Sequence, residues 1–231
     1  MIFSKESGMQ QVSNLLHLYD GLRIISMDEK QILLAGPVLI DRMARGYRLC
    51  KEYQIKIGIP LCSDELPYVI DDGNHIDSNY PHRYINGKLC LETDTAIRLR
   101  FVDGFMLDIW MSEYVETYFF SYEFYQRYGE YPFGEREHGY EGILQTYSDV
   151  FHEMDSIKTI KIMKSISTQD YRGHVPCPCG SGKRLRACHG PVIMNFYTDD
   201  RFKAIVQKDY LLLEEVVNEY DQQRNNSRKA K

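Results

Sequence analysis

A chain of 231 residues allows one main domain plus an appendage, and a hydrophobic fraction of 43% is ordinary for a globular protein. No apolar stretch approaches the ~20 residues of a membrane span, the N-terminal MIFSKESGMQQ lacks the apolar region of a signal peptide, and a net charge of −5 disfavours a general nucleic-acid surface. Six cysteines, isolated or gathered in a metal-type motif, fit a reducing cytoplasm better than a disulfide framework.

Residues 9–20 (MQQVSNLLHLYD) read as a short helix. Leu22 to Ala35 reads as two short strands around a turn at Met27–Lys30, and Gly36-Pro37 is expected to break the chain. From Tyr47 to Ile59 the apolar positions Tyr53, Ile55, Ile57 and Ile59 alternate with polar ones, the period of a half-buried strand. Pro60 and Pro67 bracket a loop into Tyr68-Val69-Ile70, and a polar loop follows from Asp71 to Ser78. The first seventy residues therefore read as an antiparallel meander.

Next comes Tyr80-Pro81-His82-Arg83-Tyr84-Ile85-Asn86-Gly87-Lys88-Leu89-Cys90-Leu91. A lone cysteine between leucines is ordinarily an inert buried thiol, so Cys90 draws attention only through its surroundings. Cys50 and Cys62 read as plain core or loop thiols.

The second half reads as helical. Phe105 to Tyr128 carries Leu107, Ile109, Trp110, Val115, Phe119, Phe120 and Phe124, and Tyr140, Ile143, Leu144, Tyr147, Val150, Phe151 and Met154 follow helical spacing. Aromatics at this spacing form a core far more often than a base-stacking platform. Residues 156–173, richer in Lys, Ser and Thr, read as a linker. Asp200 to Tyr220 reads as a helix with Phe202, Ile205, Val206, Leu213, Val216 and Val217 inward, ending in a frayed QQRNNSRKAK.

Between linker and tail lies VPCPCGSGKRLRACHG, residues 175–190. Cys177, Cys179, Cys188 and His189 place three thiolates and an imidazole within thirteen residues, a closed tetrahedral set for a structural zinc ion. Cys-Pro-Cys-Gly puts two sulfurs on one turn, and Gly-Ser-Gly can reverse the chain without steric cost. Gly180-Ser181-Gly182-Lys183 is no phosphate loop, because Cys177 stands where that loop needs glycine and Arg184 where it needs Ser or Thr. Lys183, Arg184 and Arg186 read as solvated charges, with a small basic contact surface as the functional alternative. This segment closely resembles the SEC-C motif, a short zinc-binding module known from the bacterial secretion ATPase. Lying beyond a linker, it is expected to hold only itself together, so that the first domain survives loss of the metal.

The segment around Cys90 resembles the active site of ubiquitin-conjugating enzymes. That family carries His-Pro-Asn, a glycine and an Ile/Leu-Cys-Leu nucleophile. Here Pro81 matches the proline, His82 takes the asparagine position eight residues before Cys90, and Gly87 matches the glycine three residues before it. Upstream, Leu34-Ala35-Gly36-Pro37, Ile55 to Pro60 and Leu66-Pro67-Tyr68-Val69 resemble the family's strands and proline loop, so the likeness spans about residues 9–150. Tyr-Pro-His departs from His-Pro-Asn, and the later tryptophan-proline pattern of the eukaryotic enzymes is missing. Tyr131 to Gly139 instead resembles a bacterial branch found in antiphage operons such as CBASS, where a Gly-Glu-x-x-His-Gly element follows the aromatic helix.

The resemblance implies an α+β, ubiquitin-conjugating-enzyme-like domain over 1–155, a linker over 156–173, the SEC-C zinc knuckle over 174–191 and a helical tail over 192–231. It implies a cytoplasmic transferase that holds a protein C-terminus as a Cys90 thioester and passes it to an amine. Cys90 is then the nucleophile, and His82 supports the oxyanion. His138 is a candidate base, oriented by Glu135, although that segment reads equally as a turn stabilised by Glu135 and Arg136. Asp94 is a weaker candidate for activating the lysine, a solvated loop being the plainer reading. The acyl donor would be a cGAS-like nucleotidyltransferase or a ubiquitin-like protein, delivered by a separate activating enzyme or arriving as an already activated partner, since nothing here resembles an adenylating G-x-G-x-x-G fold. The alternative is the same fold with an idle cysteine, acting as a zinc-tailed protein-binding adaptor. Neither reading involves a membrane or nucleic acid.

Overall fold

The computed structural model describes residues 2–229, with side chains described as far as Glu215. In chain order the helices and strands are α1 (Lys5–Leu18), β1 (Arg23–Met27), β2 (Gln31–Ala44), β3 (Tyr47–Pro60), β4 (Tyr68–Asp71), α2 (Asp94–Arg100), α3 (Leu107–Trp110), α4 (Glu116–Tyr128), α5 (Gly139–Phe151), α6 (Ser156–Thr168), α7 (Gly190–Thr198) and α8 (Asp200–Lys229). They form two compact units, Met1–Glu92 with Asp103–Glu135, and Thr93–Val102 with Arg136–Lys231. The class is α+β, and no helix among the described residues is long and apolar enough to cross a membrane.

In the first unit α1 begins four residues earlier than its apolar pattern suggests. Ser4 and Ser7 cap each other: Ser7 N–H donates to Ser4 Oγ (3.1 Å) and Ser4 N–H to Ser7 Oγ (2.9 Å). Serine thus does at the third helical position what Glu or Gln usually does there. The four strands form the expected antiparallel sheet in the order β1-β2-β3-β4. Asp28 closes the first turn by accepting Lys30 N–H and Gln31 N–H at 2.7 and 2.9 Å, and those donors hold its carboxyl below the usual range.

Gly36-Pro37 does not break the chain as expected. β2 runs through it to Ala44, pairing Pro37 with Gln54 of β3. Gly36 has φ +146°, and a Cβ there would run into the Gly21 carbonyl, so glycine lets two backbone segments cross at close range. Beyond Ala35 the strand has no β1 partner, and a proline is tolerated on such an edge. β2 turns into β3 at Arg45-Gly46, both with positive φ, the two-residue turn that suits the twist of a hairpin. The alternation in β3 is borne out: Tyr53, Ile55, Ile57 and Ile59 are fully buried.

Against this face packs a helix made of α3, a wide turn of π type over Met111–Val115, and α4. Its aromatics are core, as expected. Phe119 lies 4.2 Å from the Tyr53 ring, and Trp110, Phe119 and Phe120 are excluded from solvent. Burial of such side chains contributes roughly 1.5–3 kcal/mol each.

The second unit is helical. Tyr147 and Phe151 of α5, Ile162, Met163 and Ile166 of α6, Ile193 and Phe196 of α7, and Val206 and Leu213 of α8 share one core. Tyr140 and Met154, expected to face inward, are exposed: Tyr140 lies in the first turn of α5, and Met154 lies past its end at Phe151, where His152 takes positive φ. The stretch 156–173 is not a linker. Residues 156–168 are α6, with the side chains of Thr159, Ile162, Met163 and Ile166 fully buried; its Lys and Ser residues suggested a solvated segment, but these four fall on one helical face. Nor does the cysteine segment hold only itself together: Cys177, Cys179 and Leu185 belong to this helical core. In α8, Val206 and Leu213 are buried and Phe202 partly so, whereas the side chains of Val216, Val217 and the final QQRNNSRKAK lie outside those described.

Candidate functional site

Cys90 lies on the loop between β4 and α2, which backbone pairing folds back on itself. Leu89 N–H donates to the Val69 carbonyl, Tyr84 N–H to the Lys88 carbonyl (both 2.9 Å), and Arg83 bridges to Leu89. Cys90 N–H donates to the His82 carbonyl at 2.8 Å, and Tyr118 Oη donates to the same oxygen at 3.0 Å. Burial pushes the Tyr118 phenol up, so it remains a donor. These bonds explain how residues eight apart become neighbours: a His82 ring nitrogen lies within 4.8 Å of Cys90 Sγ.

The Cys90 thiol is half-buried, neither sealed in the core nor fully hydrated. Tyr84 Oη donates to its sulfur at 3.3 Å, and such a donor favours the thiolate. Nothing in the spacing of Tyr84 signals this contact, because it exists only once the loop folds back. His82 packs between Tyr80 and Tyr131, at 5.3 and 5.4 Å between ring centres. Its Nε2 lies 3.5 Å from Glu135 Oε1, so Glu135, expected to orient His138, stands beside His82. His138 belongs to the second unit, where it precedes α5 and its carbonyl accepts Gly142 N–H at 3.3 Å. Asp94 is the exposed first residue of α2. Cys50 lies on an exposed position of β3 and Cys62 on an exposed loop.

The second candidate site is the cysteine knuckle, built as a miniature hairpin. Cys177 N–H donates to the Lys183 carbonyl and Leu185 N–H to the Val175 carbonyl, both at 2.8 Å. Gly180 and Gly182, at φ +78° and +75°, turn the chain between them. The Gly-Ser-Gly run is therefore a hairpin tip. A single 3-10 turn over Leu185–Ala187 then brings round Cys188 and His189, which leads into α7.

Cys177, Cys179, Cys188 and His189 converge with their ligand atoms within 4.8 Å of one another. Cys177 Sγ and Cys188 Sγ lie 3.3 and 3.4 Å from His189 Nδ1, and Cys179 Sγ lies 3.7 Å from Cys188 Sγ. A tetrahedral zinc ion with bonds of about 2.3 Å to sulfur and 2.0–2.1 Å to nitrogen has ligand–ligand edges of roughly 3.6–3.8 Å. The residues present therefore fit zinc, with His189 bonding through Nδ1. Burial pushes the Cys177 thiol up to about 11; at Cys179 burial is outweighed by hydrogen bonds from the Ser181 hydroxyl and backbone and from the neighbouring thiols, which lower it to about 6. Zinc binds thiolates, so a metal ion entering this cluster has to displace the thiol protons it holds.

One residue near this cluster was not foreseen. Glu153, in the turn between α5 and α6, places Oε2 3.6 Å from His189 Nε2. A carboxylate more than thirty residues upstream cannot be tied to a metal motif by spacing. Lys183, Arg184 and Arg186 are exposed, as solvated charges should be.

Residues 175–191 match the SEC-C motif family. No curated protein and no solved structure matches the chain.

Proposed function

We propose that the first unit is a ubiquitin-conjugating-enzyme-like acyl carrier with Cys90 as its nucleophile, and that the knuckle is a structural zinc centre. The observation that carries the catalytic reading is the loop at Cys90: a half-buried thiol with a phenol donor at 3.3 Å and an imidazole within 4.8 Å, held by the His82 carbonyl. The order helix, four-strand meander, cysteine loop supports it, as do Pro81, His82, Gly87 and Leu89-Cys90-Leu91.

In the proposed reaction the Cys90 thiolate attacks the thioester carbonyl of a carrier C-terminus held by an activating enzyme. The new S–C bond replaces the old one, and the activating enzyme leaves as its thiolate. An amine then attacks the Cys90 thioester, an amide bond forms, and the Cys90 thiolate departs while a base takes the amine proton. Each step passes through a tetrahedral oxyanion, which a ring N–H of His82 can stabilise and Glu135 can orient. His138 is the proposed base, resting on the likeness of Gly134-Glu135-Arg136-Glu137-His138-Gly139 to the antiphage branch. By the same likeness the carrier is a cGAS-like nucleotidyltransferase or a ubiquitin-like protein in bacterial antiphage defence. The zinc centre holds four protein ligands and takes no part in transfer.

Single-turnover loading and discharge on non-reducing gels test these roles. His82→Ala should slow both steps, by about 10²–10³ for a main oxyanion donor. His138→Ala should spare loading and slow discharge, with the loss shrinking as pH rises and the amine deprotonates unaided. Normal discharge by His138→Ala at neutral pH would remove it from the mechanism.

A further inference from the structure

Beside the zinc knuckle the helical unit holds a cavity of about 300 Å³, between α6 and the segment entering the knuckle. Lys161, Lys164 and Arg172 stand around it, and among the described residues their side chains make no ion pair or hydrogen bond. The carboxylate that also lines it, Asp170, is taken by Lys203 at 3.5 Å. Ser165 accepts a hydrogen bond from Tyr197 Oη at 2.7 Å, leaving its own hydroxyl proton to donate. Val175, Pro176 and Leu185 add an apolar surface. A second observation points the same way. Residues 156–191 contain seven Lys or Arg and one Asp, in a chain with 28 basic and 33 acidic residues. Three of these seven, Lys161, Lys164 and Arg172, line the cavity, so its rim is positive against the sign of the whole protein.

We propose that this cavity is a binding site for a small organic phosphate. Three cations without a partner among the described residues and a hydroxyl donor, with the lining carboxylate already paired, select a doubly charged anion over a cation or neutral ligand. The volume lies at the small end of ligand sites, roughly 300–1,000 Å³, which suits one phosphate on a ring or short carbon skeleton. The apolar surface receives that skeleton and distinguishes the ligand from inorganic phosphate. Val175 and Pro176 lead directly into Cys177, so the metal-bound hairpin forms one wall. The proposal is independent of any chemistry at Cys90.

The experiment is calorimetric titration of the zinc-loaded full chain with AMP, inorganic phosphate and pyrophosphate, alongside sedimentation with vesicles of phosphatidylcholine alone or with added phosphatidic acid. AMP is expected to bind saturably and more tightly than inorganic phosphate. Lys164→Ala and Arg172→Ala should each weaken it by about tenfold or more, without loss of zinc, as expected for charge-assisted contacts. If only phosphatidic acid vesicles bind, and the same two substitutions abolish that binding, the phosphate site stands and its ligand is a lipid headgroup. The proposal is overturned if no probe binds at millimolar concentration, or if binding is indifferent to Lys164→Ala and Arg172→Ala. It is equally overturned if the chain binds single-stranded RNA through Lys183, Arg184 and Arg186 and no small phosphate.

Discussion

The Glu153 carboxylate stands 3.6 Å from His189 Nε2, on the ring nitrogen opposite the one that faces the thiols. With Nδ1 on a zinc ion, Nε2 would carry the ring proton and turn that N–H toward a carboxylate supplied from outside the matched segment. Glu153→Gln should lower zinc affinity by about 10–100-fold, the usual cost of losing an outer-sphere partner of a ligating histidine. Competition with a chromogenic chelator measures it; unchanged affinity would mean that Glu153 serves only its contacts with Lys158 and the α6 turn.

Metal removal should act on one unit more than the other. Structural zinc contributes an apparent ~10–16 kcal/mol, as much as the ~5–15 kcal/mol that stabilises a typical domain, and Cys177 and Cys179 sit in the core of the helical unit. Chelation, or Cys177→Ser with Cys179→Ser, should therefore cost much of the helical circular dichroism. Trp110, the single tryptophan, is buried in the other unit and reports on it separately. Its emission should stay blue-shifted after chelation. A red shift in step with the helical loss would show that the two units unfold together.

Tyr84→Phe removes the donor to the Cys90 sulfur without changing the ring. Loss of a donor to the charged form raises a thiol pKa, so alkylation of Cys90 by iodoacetamide should slow several-fold at neutral pH and recover at alkaline pH. Mass spectrometry of the Cys90 peptide separates this from the exposed Cys50 and Cys62. An unchanged pH–rate profile would show that the phenol does not tune the thiol.

Asp209 is buried in the helical unit, where Tyr147 Oη and Thr95 Oγ1 each donate to its Oδ2 at 2.8 Å. Burial raises its pKa against the pull of those two donors. A carboxyl whose folded pKa is raised contributes stability at low pH, and loses it as pH rises through that value. Asp209→Asn keeps an acceptor oxygen without the charge. It should raise the melting temperature at pH 8, with the gain shrinking toward pH 4. A constant difference across that range would contradict the assignment.

Much of the sheet was legible because β3 shows its period in side chains: Tyr53, Ile55, Ile57 and Ile59 all face the core. The path of β2 through Gly36-Pro37 was not, because it depends on how closely the Gly21 backbone passes, which has no local signature. Helix α6 was missed for a related reason. Its lysines advertise solvent, while Ile162, Met163 and Ile166 find their burial only against α5, α7 and α8. The four knuckle ligands were legible because thiolate and imidazole types at short spacing have few other uses. Tyr84 and Glu153 were not, since each is a contact made by folding between residues with no telling separation.

The central claim is that Cys90 carries an acyl group. Intact mass under non-reducing conditions tests it most directly, on wild-type and Cys90→Ala chains purified from cells that also express the neighbouring genes. The account predicts a protein-sized adduct on the wild type that a thiol reductant removes and that Cys90→Ala lacks, with amide conjugates lost in the same variant. Conjugates formed by Cys90→Ala at the wild-type rate, or no thiol-sensitive adduct on Cys90, would contradict it and leave the adaptor reading in its place.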